Sequence, residues 1–113
     1  MELYFHQVRG NVLILSADGG IDSTNAEELA GQLETLIQAG ARNLIVDCSK
    51  LGFISSYGLA VLVRLHKRLA RVGGDVRLAA VQSRVVELLE LTRLARVLQI
   101  YPNVDDAIAS IET

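Results

Sequence analysis

The spacing of apolar and polar positions divides the chain into short segments of two periods. Residues 2–9 and 11–16 are rich in Val, Ile, Leu, Tyr and Phe, and the break at Gly10-Asn11 predicts two strands joined by a tight turn. After Asp18-Gly19-Gly20 the period changes. Ala26, Leu29, Leu33, Leu36 and Ile37 recur at spacings of three and four, which gives one apolar helical face. Thr24 and Glu27 have capping-box spacing, Ser23 is the alternative cap, and Gly40 is placed to stop the helix.

"NLIVDC" is a continuous apolar and β-branched run, as expected of a central strand covered on both faces. From Tyr57 to Val72, a buried face of Leu62, Leu65, Leu69 and Val72 opposes a basic stripe of Arg64, Lys67, Arg68 and Arg71, and Gly73-Gly74 ends the helix. "DVRLAAV" alternates as a strand, Ser83 is placed to cap a helix running to about Thr92, and "ARVLQIY" reads as a short extended segment. Pro102 breaks the chain before a last helix in "NVDDAIASIE". The order β-β-α-β-α-β-α-β-α predicts an α/β fold, its sheet parallel except where the opening hairpin folds back.

Composition changes this picture little. With 113 residues, 50% hydrophobic and 21% charged, residues 1–113 fit one domain with a real core. A net charge of -2 gives no global reason to expect nucleic acid or an anionic membrane as partner. The single cysteine, Cys48, lies in an apolar run and reads as a buried, inert thiol in a reducing compartment. No run approaches the roughly 20 apolar residues of a membrane helix, and "MELYFHQVRG" lacks the pattern of a secretory leader. The expectation is a cytoplasmic protein without membrane insertion.

The inventory of chemistry is sparse. His6 and His66 are isolated and read as surface or half-buried side chains, not metal ligands. Gly73-Gly74 lacks the Lys-Ser/Thr of a phosphate-binding loop, no Gly-x-Ser-x-Gly elbow exists, and Asp105-Asp106 suits the positive end of the last helix. No catalytic residue, metal or cofactor is expected. The basic stripe fits either a solvated helix face or a surface for an acidic partner, and without interleaved aromatic residues it does not suggest nucleic acid.

What stands out is "LGFISSYGLAVLV". A serine just before a helix is an N-cap, its oxygen accepting from a free backbone N–H. The same place would stabilise a phosphate through free N–H groups and the helix dipole.

"GGIDSTNAEELAGQL", "NLIVDCSKLGFISSYGLAVLVRL" and "GGDVRLAAV" together resemble the STAS domain (sulphate transporter and anti-sigma factor antagonist) in its small stand-alone form. The resemblance covers essentially the whole chain and implies a mixed, mostly parallel sheet of four to five strands with about four packed helices. It also implies partner switching. In that scheme the unphosphorylated antagonist binds an anti-sigma factor that is a GHKL-type serine kinase. The kinase phosphorylates the motif serine with ATP, and a PP2C-type phosphatase reverses the step.

By position in the motif the phosphoacceptor is Ser56, with Ser55 as second candidate because it stands where many family members carry aspartate. The resemblance adds Asp22, Ser55, Ser56, Tyr57, Gly58 and Arg64 as partner-binding residues. Asp22 reads equally as an Asx turn. Gly58 would let a partner backbone approach closely, and Tyr57 would act as an interface anchor or a packed ring. Three functions remain open at this level: the phosphorylation-switched antagonist, a non-switching STAS subunit docked on a lipid or anion transporter or a signalling scaffold, and an enzyme acting on a nucleotide or small acid. The empty inventory of bases and nucleophiles disfavours the last.

Overall fold

The computed structural model describes residues 2–8 and 11–112, with side chains from 11 to 111. Gly10, half of the expected turn, and the side chain of His6 lie outside the described residues. The elements are β1 (Glu2–Val8), β2 (Val12–Ile21), α1 (Ser23–Gln38), β3 (Asn43–Asp47), β4 (Leu51–Ile54), α2 (Ser56–Ala70), β5 (Asp75–Ala79), α3 (Ser83–Leu91), a 3-10 turn (Leu94–Arg96), β6 (Gln99–Tyr101) and α4 (Val104–Glu112). Among the described residues the sheet has six strands, in the order β1-β2-β3-β5-β6 with β4 also on β2. β1 is antiparallel to β2, and every other pairing is parallel.

The apolar pattern explains the layers. Leu13, Leu15 and Ala17 on β2, Leu44 and Val46 on β3, and Val76 and Leu78 on β5 face α1, α2 and α3. The opposite face carries Val12, Ile45 and Ala79, and Ala107 of α4 closes it. β3 is therefore covered on both sides, as its unbroken apolar run requires. Burying each large aliphatic side chain contributes about 1.5–3 kcal/mol.

Five expectations need correction. β2 runs five residues past Ser16, through Gly19-Gly20 to Ile21, because its far end pairs with β4. β4 itself was not expected: β2 pairs first with β3 and then with β4, so β4 prolongs β3 after a break at Cys48–Lys50. Val72 lies beyond the end of α2 and is exposed. Only the end of "ARVLQIY" is a strand, since Arg93, at φ 61°, turns the chain out of α3 into the 3-10 turn. Gln82, not Ser83, is the N-cap residue of α3, and its side chain makes no capping bond.

Gly74 is fixed by close backbone approach. A Cβ there would lie 1.5 Å from the Arg42 carbonyl oxygen, where Asp75 N donates to that same oxygen at 3.2 Å as β5 joins β3. Gly74→Ala is expected to cost about 2 kcal/mol or more, on the order of 10 °C in Tm for a chain of this size. Gly31, mid-helix with nothing within 4 Å of a built Cβ, makes the opposite case: Gly31→Ala should stabilise by about 0.5–1 kcal/mol. Thermal melts of the two variants check both signs.

Candidate functional site

The site forms where β2 and β4 end together. Ile21 pairs with Ile54 after a register shift at Gly19/Gly20, and Ser55 N donates to the Ile21 carbonyl at 2.8 Å. Because the two strands are parallel, the residues that follow, Asp22 and Ser55, stand at neighbouring positions and each begins a helix. Neighbouring strands lie about 4.8 Å apart, so the N-termini of α1 and α2 open side by side.

Asp22 is the cap of α1. Its carboxylate accepts from Thr24 N at 2.8 Å and Asn25 N at 3.1 Å, while Asn25 Oδ1 accepts from Asp22 N at 2.8 Å. This reciprocal box replaces the expected Thr24–Glu27 pair and the Ser23 alternative, because the helix starts one residue earlier than its apolar pattern suggests. Glu27 is thereby left free for contacts on α2.

Of the two serines, one caps the helix and the other does not. Ser55, in extended backbone at φ -76°, is the N-cap of α2, and its Oγ accepts from Gly58 N at 3.0 Å. Ser56 is the first helical residue and is exposed. Its hydroxyl has no hydrogen-bond partner among the described residues. Its own N–H and that of Tyr57 belong to the open end of the helix, where intrahelical acceptors run out.

Two exposed aromatic residues flank this pair in sequence. Phe53 is 56% exposed and Tyr57 41%. Phe53 lies over Gly20, where a Cβ would come within 3.1 Å of its ring. The Tyr57 hydroxyl donates to Glu27 Oε1, which also holds Arg64 Nη2 at 3.1 Å. The hydrogen bond from Tyr57 and then that from Arg64 hold the Glu27 carboxyl below the usual range, and the same carboxylate pushes the Tyr57 phenol up. Arg64 therefore steadies the ring from two turns along α2, and Arg68 makes a second bridge to Glu34 of α1 at 2.9 Å.

Gly58 does not open the surface to a partner. It is buried, and a Cβ there would meet Ile21 Cγ2 at 2.8 Å and Ile54 Cγ1 at 3.0 Å, so the backbone approach that needs glycine comes from within the chain. Cys48 is buried, and desolvation pushes its thiol up to about 12, which makes it inert at neutral pH. His66 is half-buried and 2.7 Å from Asp75. Sequence reading missed Phe53 and Glu27. The first sits on an unrecognised strand, and the second was assigned to a cap.

Comparison with known proteins bears on this geometry. The model of the STAS domain matches residues 6–107. BtrV of Bordetella bronchiseptica, a candidate anti-sigma factor antagonist, is 29% identical over 113 residues, covering 100% of this chain and 97% of BtrV. Rv2638 of Mycobacterium tuberculosis, a candidate anti-anti-sigma factor, is 39% identical over 102 residues, covering 88% of this chain and 68% of that protein. Among solved structures, the unphosphorylated form of the anti-sigma factor antagonist SpoIIAA of Bacillus superposes with a TM-score of 0.87 at 17% identity, covering 98% of this chain and 96% of SpoIIAA. Its fold is the same mixed sheet with helices on both faces. No helix among the described residues is long and apolar enough to cross a membrane. From the match along most of its length, the chain belongs to the STAS domain family.

Proposed function

We propose that this chain is an anti-sigma factor antagonist that works by partner switching in the cytoplasm. Unphosphorylated, it binds an anti-sigma factor of the GHKL serine kinase type and frees a sigma factor. The kinase transfers the γ-phosphoryl group of ATP to Ser56 Oγ, its own base taking the hydroxyl proton and ADP leaving. A PP2C-type phosphatase hydrolyses the ester and restores the binding form. The observation that supports this reading is the exposed hydroxyl of Ser56, without a hydrogen-bond partner among the described residues, next to a serine already committed to capping.

The physics of the switch is electrostatic. A phosphoryl group brings about -1.5 to -2 charge. On the chain's own side this charge meets the positive end of α2, which favours it, so the fold need not change. Across an interface it meets a surface fitted to a neutral hydroxyl, and there desolvation or repulsion raises the cost of binding. Asp22, at the neighbouring helix start, adds negative charge to the same end of the molecule. On this reading the antagonist contributes a hydroxyl and a surface, and the kinase contributes the nucleotide and the base.

The kinase, ATP and phosphate mapping by mass spectrometry test the assignment. Modification is expected at Ser56 in the wild type and in Ser55→Ala, and none in Ser56→Ala; full modification of Ser56→Ala would overturn it. Ser56→Asp should weaken kinase binding while Ser56→Ala stays bound, and binding indifferent to residue 56 would favour a non-switching subunit instead. The division between the serines has its own readout. Ser55→Ala should cost about 1 kcal/mol through the lost cap, whereas Ser56→Ala should stay within about 0.5 kcal/mol of wild type, both measured by denaturant unfolding.

A further inference from the structure

The exposed face of α2 continues from Tyr57 into a groove of about 350 Å³ lined by Ala60, Val63, Arg64, Lys67, Arg68 and Arg71. From Ala60 to Arg71 it runs about 16 Å along the helix. Its cations are not equivalent. Arg64 and Arg68 are tied to Glu27 and Glu34 of α1. Lys67 and Arg71 have no carboxylate within ion-pairing distance among the described residues, and α2 carries no acidic residue of its own. A chain of net charge -2 thus leaves two uncompensated cations one helical turn apart, beside a small apolar floor of Ala60 and half-buried Val63.

We infer that this groove recognises an acidic helical segment of the anti-sigma factor, with Lys67 and Arg71 as the residues that select it. The inference rests on the partner-switching reading and adds the chemistry of the partner. Two carboxylates one turn apart on a helix match the spacing of Lys67 and Arg71, and a small apolar residue beside them covers Ala60 and Val63. A nucleic acid or an anionic bilayer fits worse. With Arg64 and Arg68 neutralised by Glu27 and Glu34, the free charge is confined to two cations one turn apart, a patch that matches two carboxylates on a helix and is too short for a continuous polyanion. The groove begins about one turn from Ser56 and its free cations lie about three and four turns away, so charge recognition and phosphate sensing occupy opposite ends of one surface. The first sets which partner docks, and the second sets when it leaves.

The test measures binding of wild type, Ser56→Asp and the double variant Lys67→Glu/Arg71→Glu to each purified GHKL-type serine kinase of the source genome, between low and high salt. The expected result is a wild-type affinity that falls as salt rises, and a loss of about 30-fold or more in the double variant. The residual salt dependence of the double variant should be reduced or reversed, and a kinase with the facing acids changed to lysine should regain binding to it. Circular dichroism melts confirm that the double variant, altered only at exposed positions, stays folded. Double-variant binding within about 3-fold of wild type, with Ser56→Asp still released, would overturn this inference and leave the switch standing. If no kinase binds the wild type, or Ser56→Asp binds as wild type does, the partner-switching reading itself falls and takes the inference with it.

Discussion

The pairing of the end of β2 with β4 is the constraint on which the site depends. One strand serves two successive partners: β3 along its first half, and β4 after the shift at Gly19/Gly20. Without the second pairing, Ile21 and Ile54 would not finish level, and the starts of α1 and α2 would not share an edge of the sheet. Gly58 shows how tightly that arrangement is drawn. Ile21 packs into the place a side chain would take, so the first turn of α2 is held against β2 by contact as well as by the Ser55 hydrogen bond. Under the proposed function the surface presents one hydroxyl in a constant place, and such support helps, since binding loses less entropy when the bound geometry already exists.

Charge is arranged around this frame with the same economy. The carboxylates that compensate α2 come from α1, and they act at Arg64 and Arg68 while leaving Lys67 and Arg71 to solvent. Exposed ion pairs of this kind are worth little as stability, commonly under about 1 kcal/mol each. Their effect is geometric. Glu27 holds the phenol of Tyr57 and the guanidinium of Arg64 together, so an aromatic ring that would otherwise sample several rotamers has a reason to stay near Ser56.

Much of the architecture was legible from periodicity alone. The helical faces of α1 and α2, the doubly covered β3 and the last helix follow from spacing, because each buries a regular stripe against the sheet. β4 was hidden by its brevity: four residues directly before a helix carry too few positions for an alternation to register. Gly19-Gly20 misled for a related reason, since glycines that usually mark a turn here sit inside a strand at a bulge. At the site, residue types were readable and their assignments were not. Asp22 and the serines announced helix starts, but which hydroxyl caps and which stays free is settled by one residue of register, and no local propensity fixes that. Glu27 illustrates the same limit from the other side, because its partners lie 30 and 37 positions away in sequence.

Ser55 carries a consequence for the resting charge of this surface. Aspartate and serine are nearly interchangeable as helix caps, so a serine in that place keeps the backbone geometry while leaving out the full negative charge an aspartate would set beside Ser56. The two residues solve one mechanical problem with different background potentials. Under the proposed function the increment of charge on phosphorylation is the same in either case, but here it starts from a more positive baseline. The cap position is thus a dial for the resting electrostatics of the surface, adjustable without disturbing the fold that displays Ser56.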